Sequence, residues 1–181
     1  MENVSIIRSR VIISDEKIYN YSHRYLLERI WYDRKPIATV VMLNPSYANE
    51  VKWDYSSMRV MNFLIDQGYG GVTIVNLFSC IETNSEDLPS YNIRYNKDTD
   101  KYIAEAITQN KAIILAWGSN KDRIIRIKAL VKILQSQKEK KQIYRLTDND
   151  YSIKHVSVLK KELRLEPLQN VCDIFNAKLN N

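Results

Sequence analysis

Four short apolar runs, spaced along the chain with helix-like segments between them, constrain the fold more than any other feature. They are "IATVVML" (37–43), "VTIVNLF" (72–78), "KAIILAWG" (111–118) and "KQIYRLT" (141–147). Runs of this length without polar alternation read as strands buried on both faces, which is the habit of parallel sheets. Between the first two runs, "YSSMRVMNFLIDQ" (55–67) places Met58, Met61, Leu64 and Ile65 near helical spacing, and "GYGG" terminates it. Residues 98–110 form a second predicted helix. "NKDRIIRIKALVKILQSQ" (120–137) forms a third, basic and amphipathic. Strands alternating with helices predict an α/β fold, a three-layer sandwich with a central, mostly parallel sheet. Residues 4–14 and 17–33 read as strands around a turn at Ser14, Asp15 and Glu16, extending the sheet antiparallel. Within the second, "RYLLERIW" is compatible with a short helix, but its Tyr, Ile and Trp favour strand.

The 181 residues suit a single domain over 1–181, with no repeat, low-complexity tract or linker. Two cysteines without a CxxC pattern give no disulfide framework, and two histidines are too few for a His-rich metal site. We expect no metal and no cofactor. The start, "MENVSIIRSR", lacks the apolar core of a signal peptide, and no run approaches a membrane span. The expectation is a cytoplasmic monomer without a membrane partner. A net charge of +6 admits a polyanionic partner, although modest basicity is common and decides little alone.

Each apolar run ends in, or soon leads into, a polar feature. "VVMLNPS" delivers Asn44 and Ser46, "TIVNLFS" Asn76, and "IILAWGSN" Gly118 and Ser119. "YRLTDNDYSIKHVSVLKK" leads to His155, Ser157, Leu159, Lys160 and Lys161. The carboxyl ends of parallel strands share one edge, so these features are expected to converge. Each residue has two readings. Asn44 either orients a ligand or stabilises the turn before Pro45. Asn76, flanked by Val75 and Leu77, either pairs with a base edge or bridges to a loop. Gly118 and Ser119 either approach a phosphate or open a helix. His155 is either a proton donor to a ligand or a structural histidine. Arg123, Arg126, Lys128 and Lys132 form a basic helix face, either solvated or bordering a nucleic-acid groove.

In this order the four features resemble the uracil-DNA glycosylase superfamily. The chain also resembles an uncharacterised bacterial domain family carried by phages and staphylococcal chromosome cassettes, through "RYLLERIW", "VMLNPSYA", "GYGGVTIVNLFS" and "AWGSN". The first resemblance implies the glycosylase fold and a set of roles. Asn44 takes the place of the water-activating Asp, and Ser46 that of a Tyr that blocks the methyl of thymine. Asn76 matches the Asn that reads the base, and Gly118 with Ser119 the phosphate loop. His155 matches the imidazole that donates to the departing base, while Ser157 and Leu159 match a phosphate-contacting serine and a leucine wedge. Lys160 and Lys161 add charge for phosphates. Three departures stand out: Met42 replaces a glycine, Asn44 replaces the Asp, and Val156 and Val158 replace two loop prolines.

An amide cannot take a proton from water. These departures therefore predict a catalytically degenerate glycosylase-like protein, binding DNA weakly through phosphates or binding an acidic, DNA-mimicking glycosylase inhibitor. The alternatives are an active glycosylase acting on uracil or a modified pyrimidine, and an enzyme acting on nucleotides or nucleosides.

Overall fold

Apolar strands can bury both faces only when helices cover each side of the sheet, and the chain adopts that arrangement. The structure is a computed structural model describing residues 7–82, 89–118, 123–147, 153–155 and 163–176. The elements run β1 (Arg8–Ile13), β2 (Arg24–Ile30), β3 (Ile37–Met42), α1 (Tyr55–Asp66), β4 (Gly71–Asn76), α2 (Lys97–Gln109), β5 (Ala112–Leu115), α3 (Arg123–Gln135), β6 (Gln142–Thr147), β7 (Arg164–Pro167) and α4 (Asp173–Asn176). They build one seven-stranded sheet in the order β1-β2-β4-β3-β5-β6-β7. The four apolar runs form its parallel centre, β4-β3-β5-β6. β1 and β2 on one side and β7 on the other pair antiparallel.

From β3 the chain crosses to β4 on one side and then returns to β5 on the other. The reversal leaves a switch point between the carboxyl ends of β3 and β5, where open α/β sheets form a crevice. Side chains on the two faces of the sheet feed two cores. Val40, Met42, Ile74 and Ile114 pack with Val60, Met61 and Leu64 of α1. Val41, Val75, Ile113 and Leu115 pack with Ile103 and Ile107 of α2 and Leu130 and Leu134 of α3. α1 begins at Asp54, whose carboxylate accepts from the Ser57 amide. It stops at Gly68 (φ +82°), where the Gly68 amide bonds the Ile65 carbonyl and the Tyr69 amide the Leu64 carbonyl. That pair of bonds is a Schellman stop, and it needs the left-handed backbone glycine allows.

The predicted strand over 17–33 is shorter than expected. Tyr19 and Asn20 take positive φ in a tight turn closed by an Ile18–Tyr21 bridge, so regular pairing starts only at Arg24. "RYLLERIW" is strand through Ile30. β7 and α4 were not anticipated: four residues each leave no periodicity to detect. Among the described residues no helix is long and apolar enough to cross a membrane.

Candidate functional site at the carboxyl edge of the sheet

The central ladder extends past the strand ends. Leu77 and Phe78 donate to the Met42 and Leu43 carbonyls, and Ala116 donates to Val41. The edge carrying Asn44, Asn76 and Gly118 is thus a continuation of rigid sheet. Met42 and Asn76 are register partners. Alternation from Val72 and Ile74 turns Asn76 toward the α1 layer.

β2 organises this edge from one side. Ile12 pairs with Leu26 and Ile13 with Arg24, which leaves Tyr25 as a bulge. Beyond it, neighbouring residues serve opposite layers. His23 reaches the α2 layer, where its Nδ1 and the Ser79 hydroxyl share a 2.8 Å hydrogen bond. Ser79 in turn meets the Thr99 hydroxyl at 2.7 Å. Arg24 reaches the α1 layer and donates to the Ala48 carbonyl at 2.8 Å and the Ser46 carbonyl at 3.4 Å. Arg29, two turns of the pleat further along, donates to the carbonyls of Asn49 (2.6 Å) and Lys52 (3.2 Å). Its guanidinium lies 4.0 Å from the Trp53 ring centroid. Both arginines are buried. Together they strap the loop after β3 onto the sheet.

The neck of that loop is a hydrogen bond of 2.6 Å from the Ser46 hydroxyl to Asp54 Oδ2, which also accepts from the Ser57 hydroxyl at 2.8 Å. His155 closes the other side. It packs on Gly118, whose φ is +72° and where a β-carbon would stand 2.8 Å from His155 Cβ. Glycine is required there for both its backbone and its missing side chain.

The electrostatics follow from burial. The Arg24 guanidinium is pushed down to about 10 by burial, against the pull of Asp54. Burial works to raise Asp54, but hydrogen bonds from Ser46 and Ser57 and the charge of Arg24 hold it below the usual carboxylate value. His155 is held low by burial, opposed by the nearby Asp54 charge. Its imidazole is therefore neutral at pH 7, with one ring nitrogen a donor and the other an acceptor. Cys80, buried beside His23, has its thiol raised to about 11 by burial and is unreactive.

The expected residues divide into three groups. Asn44, Ser46, Asn76, Gly118 and His155 lie together at the carboxyl edge, as the topology requires. Asn44 and Ser46 have internal partners there: the Asn44 amide donates to the Glu82 carbonyl at 2.7 Å, and Ser46 bonds Asp54. Asn76 Nδ2 is buried with no hydrogen-bond partner, as are His23 Nε2, Arg24 Nε and Arg29 Nε, and of these Asn76 alone stands at a strand end of the parallel centre. Ser119, Ser157, Leu159, Lys160 and Lys161 fall outside the described residues. The basic face of α3 needs correction. Arg126 points inward, is 2% exposed, pairs with Asp100 and donates to the Leu77 carbonyl at 2.7 Å, while Ile124 and Ile125 face solvent. Helical periodicity cannot tell an inward cation from an outward one when a carboxylate waits on the neighbouring helix.

Sequence reasoning missed Arg24, Arg29 and Asp54. The signal was present: two arginines against a single glutamate in a strand with a largely buried pattern, and an Asp three residues ahead of Ser57 at a helix start. A separate groove of about 440 Å³ lies at the amino end of β6, between Leu134, Lys140, Tyr144, Pro167 and Val171, and none of the strand-end residues lines it.

No curated protein and no solved structure matches the chain. Nothing in these comparisons ties it to the uracil-DNA glycosylase superfamily. One family model does match, over residues 24–155, a span that opens at Arg24, closes at His155 and takes in well over half of the chain. The chain therefore belongs to the family described as Protein of unknown function (DUF1643).

Proposed function

We propose that this chain is a uracil-DNA glycosylase-like protein that holds an unstacked nucleobase at the carboxyl edge of β3, β4 and β5 without efficiently excising it. The observation that carries the reading is the Asn76 amide: buried, unpartnered, and across β3 from the Gly118–His155 contact. A buried N–H donor without an acceptor costs about 1–3 kcal/mol, which a ligand carbonyl oxygen would return. His155, whose imidazole is neutral at pH 7, packs on Gly118 at the far side of this edge.

Excision needs a group that takes a proton from water. Asn44 cannot, and its amide is engaged by the Glu82 carbonyl. Asp54 is a carboxylate, but three hydrogen bonds from Ser46 and Ser57 occupy its oxygens and make it a weak base. The partner in this reading is DNA bound mostly through phosphates, or an acidic inhibitor protein that mimics DNA. An active glycosylase and a nucleotide- or nucleoside-processing enzyme are the competing readings.

The test uses single-stranded oligonucleotides that carry either uracil or an abasic site at one position. We expect no alkali-sensitive cleavage of the uracil strand above background. We also expect binding that weakens with salt, and a preference for uracil over the abasic strand that Asn76→Ala and His155→Ala both erase. Robust uracil release would overturn the degenerate reading. Equal affinity of the unmodified protein for both strands would remove the base site.

A further inference from the structure

We propose that the loop between β3 and α1 is a stacking platform for single-stranded nucleic acid, built from Tyr47, Trp53 and Tyr55. The proposal rests on the nucleobase reading above and names the form of nucleic acid the same edge receives: an unpaired strand rather than an intact duplex.

Large aromatic side chains are normally drawn into a core. Here Tyr47 is 56% exposed, Trp53 43% and Tyr55 60%. They are held around one point. Tyr47 follows Ser46, and Trp53 and Tyr55 flank Asp54. The Ser46–Asp54 hydrogen bond joins the two ends of the loop at 2.6 Å, so the backbones of all three residues start next to its neck. The Asp54 charge also bears on His155, so the neck of the loop and the proposed base site share one electrostatic environment.

The loop under the rings is rigid. Arg24 and Arg29 together hold the carbonyls of Ser46, Ala48, Asn49 and Lys52. The Asn49 side chain accepts from the Val51 and Lys52 amides at 2.9 and 2.6 Å. A surface loop without a ligand to bind has no need of two buried guanidiniums to fix four carbonyls. Fixing the rings beforehand removes the ordering entropy that binding would otherwise have to overcome.

The chemistry favours bases. The Trp53 ring lies on the Arg29 guanidinium, and the residue is still 43% exposed. Arg59 stands 6.0 Å from the Tyr55 ring centroid. Lys52 and Arg59 match Glu50 and Asp54 in number, and the buried Arg24 and Arg29 add positive charge beneath the loop. Aromatic rings interleaved with cations are how proteins hold unpaired strands with little sequence preference, since every base has a stacking face.

The test is fluorescence anisotropy at low salt with a labelled oligothymidylate of about 15 nucleotides and with a blunt duplex of similar length. The unmodified protein should bind the single strand more tightly than the duplex. Tyr47→Ala and Tyr55→Ala should each weaken single-strand binding roughly 5- to 100-fold. Tyr47→Phe and Tyr55→Phe, which keep the stacking face, should retain it. Both tyrosines are exposed, so their variants should keep the thermal midpoint of the unmodified protein. Trp53 emission should be quenched on binding. Unchanged affinity in both alanine variants would overturn the platform, as would equal binding of duplex and single strand. A complete absence of oligonucleotide binding, with only a protein partner captured by this face, would overturn it too. The base site is separable: loss of uracil preference with intact oligothymidylate affinity defeats that site alone, and the converse defeats only the platform.

Discussion

His23 and Arg24 are neighbours in the chain and, as extended backbone alternates, point to opposite layers of the sheet, and the two layers solve burial differently. Behind the sheet, His23 sits in a chain of neutral partners: the Ser79 and Thr99 hydroxyls, then Asn96, whose amide reaches the Tyr25 hydroxyl at 2.9 Å. In front of it, Arg24 sits among charges and carbonyls: Asp54, the loop backbone and, beyond Asp54, His155. Burial lowers both histidines. Only His155 has a carboxylate pulling it back. The difference teaches where a ligand could matter. The rear layer leaves His23 Nε2 buried without a hydrogen-bond partner, as the front layer leaves Asn76 Nδ2, so the contrast lies in charge: neutral partners behind the sheet, a guanidinium and a carboxylate in front of it. The front layer keeps a charged pair, an unpartnered amide and a rigid loop at the open edge.

Breaking the front layer should have the largest effect. Arg24→Ala leaves the Ser46 and Ala48 carbonyls without their donor and removes one of the two guanidiniums that act on Asp54. We expect a loss of about 3–5 kcal/mol in denaturant unfolding. Arg24→Met, which keeps much of the volume, should recover part of it, the remainder being the charge. If both variants unfold like the unmodified protein, the arginine strap is incidental.

Gly118→Ala comes next, at about 2–4 kcal/mol, because a left-handed backbone and the contact with His155 act together. Gly68→Ala is the control. Its φ is also positive, but nothing lies within 4 Å of the added carbon, so only the backbone cost of about 1 kcal/mol applies. Equal losses at the two glycines would show that the His155 contact carries no weight.

The rear layer should yield less. Ser79→Ala leaves His23 Nδ1 and the Thr99 hydroxyl without their shared partner, at about 1–3 kcal/mol. This variant should leave oligonucleotide affinity unchanged, and a parallel loss of binding would mean that the layers are coupled.

These expectations mark what the sequence could and could not show. The parallel centre was legible because "IATVVML", "VTIVNLF" and "KAIILAWG" carry the pattern of doubly buried strands, and local pattern is what a sequence displays. That Asn44, Asn76 and Gly118 share an edge followed from the topology alone. The partners of those residues were not legible. That Asn44 donates to Glu82, Ser46 to Asp54 and Arg126 to Leu77 depends on loops and helices meeting across 8 to 49 positions of chain. Periodicity carries no information at that range. Arg24 and Arg29 were read only as part of a strand, because strand propensity describes the backbone and not what a buried cation must find.

The finest test of the comparison is titration. Unfolded histidines titrate near the ordinary value of 6.5, and both folded imidazoles lie below it. As pH falls through 6.5 the unfolded chain binds protons first, so the contribution of each histidine is complete above 6.5 and is lost as pH drops toward the folded values. The loss proceeds at no more than about 1.4 kcal/mol per pH unit for each proton. Asp54 works in a separate window. Its folded value lies below the ordinary 3.8, so its contribution persists down to that pH and is lost only in stronger acid. Proton NMR of the two imidazoles, assigned with His23→Asn and His155→Asn, separates the layers. Asp54→Asn is the informative variant, because asparagine caps a helix about as well as aspartate and the fold should survive. Removing the carboxylate takes away what raises His155, so that imidazole should titrate lower still while His23 stays where it was. If both resonances move together, the two histidines do not belong to separate electrostatic environments; if His155 titrates above 6.5 in the unmodified protein, the Asp54 charge outweighs burial at that imidazole.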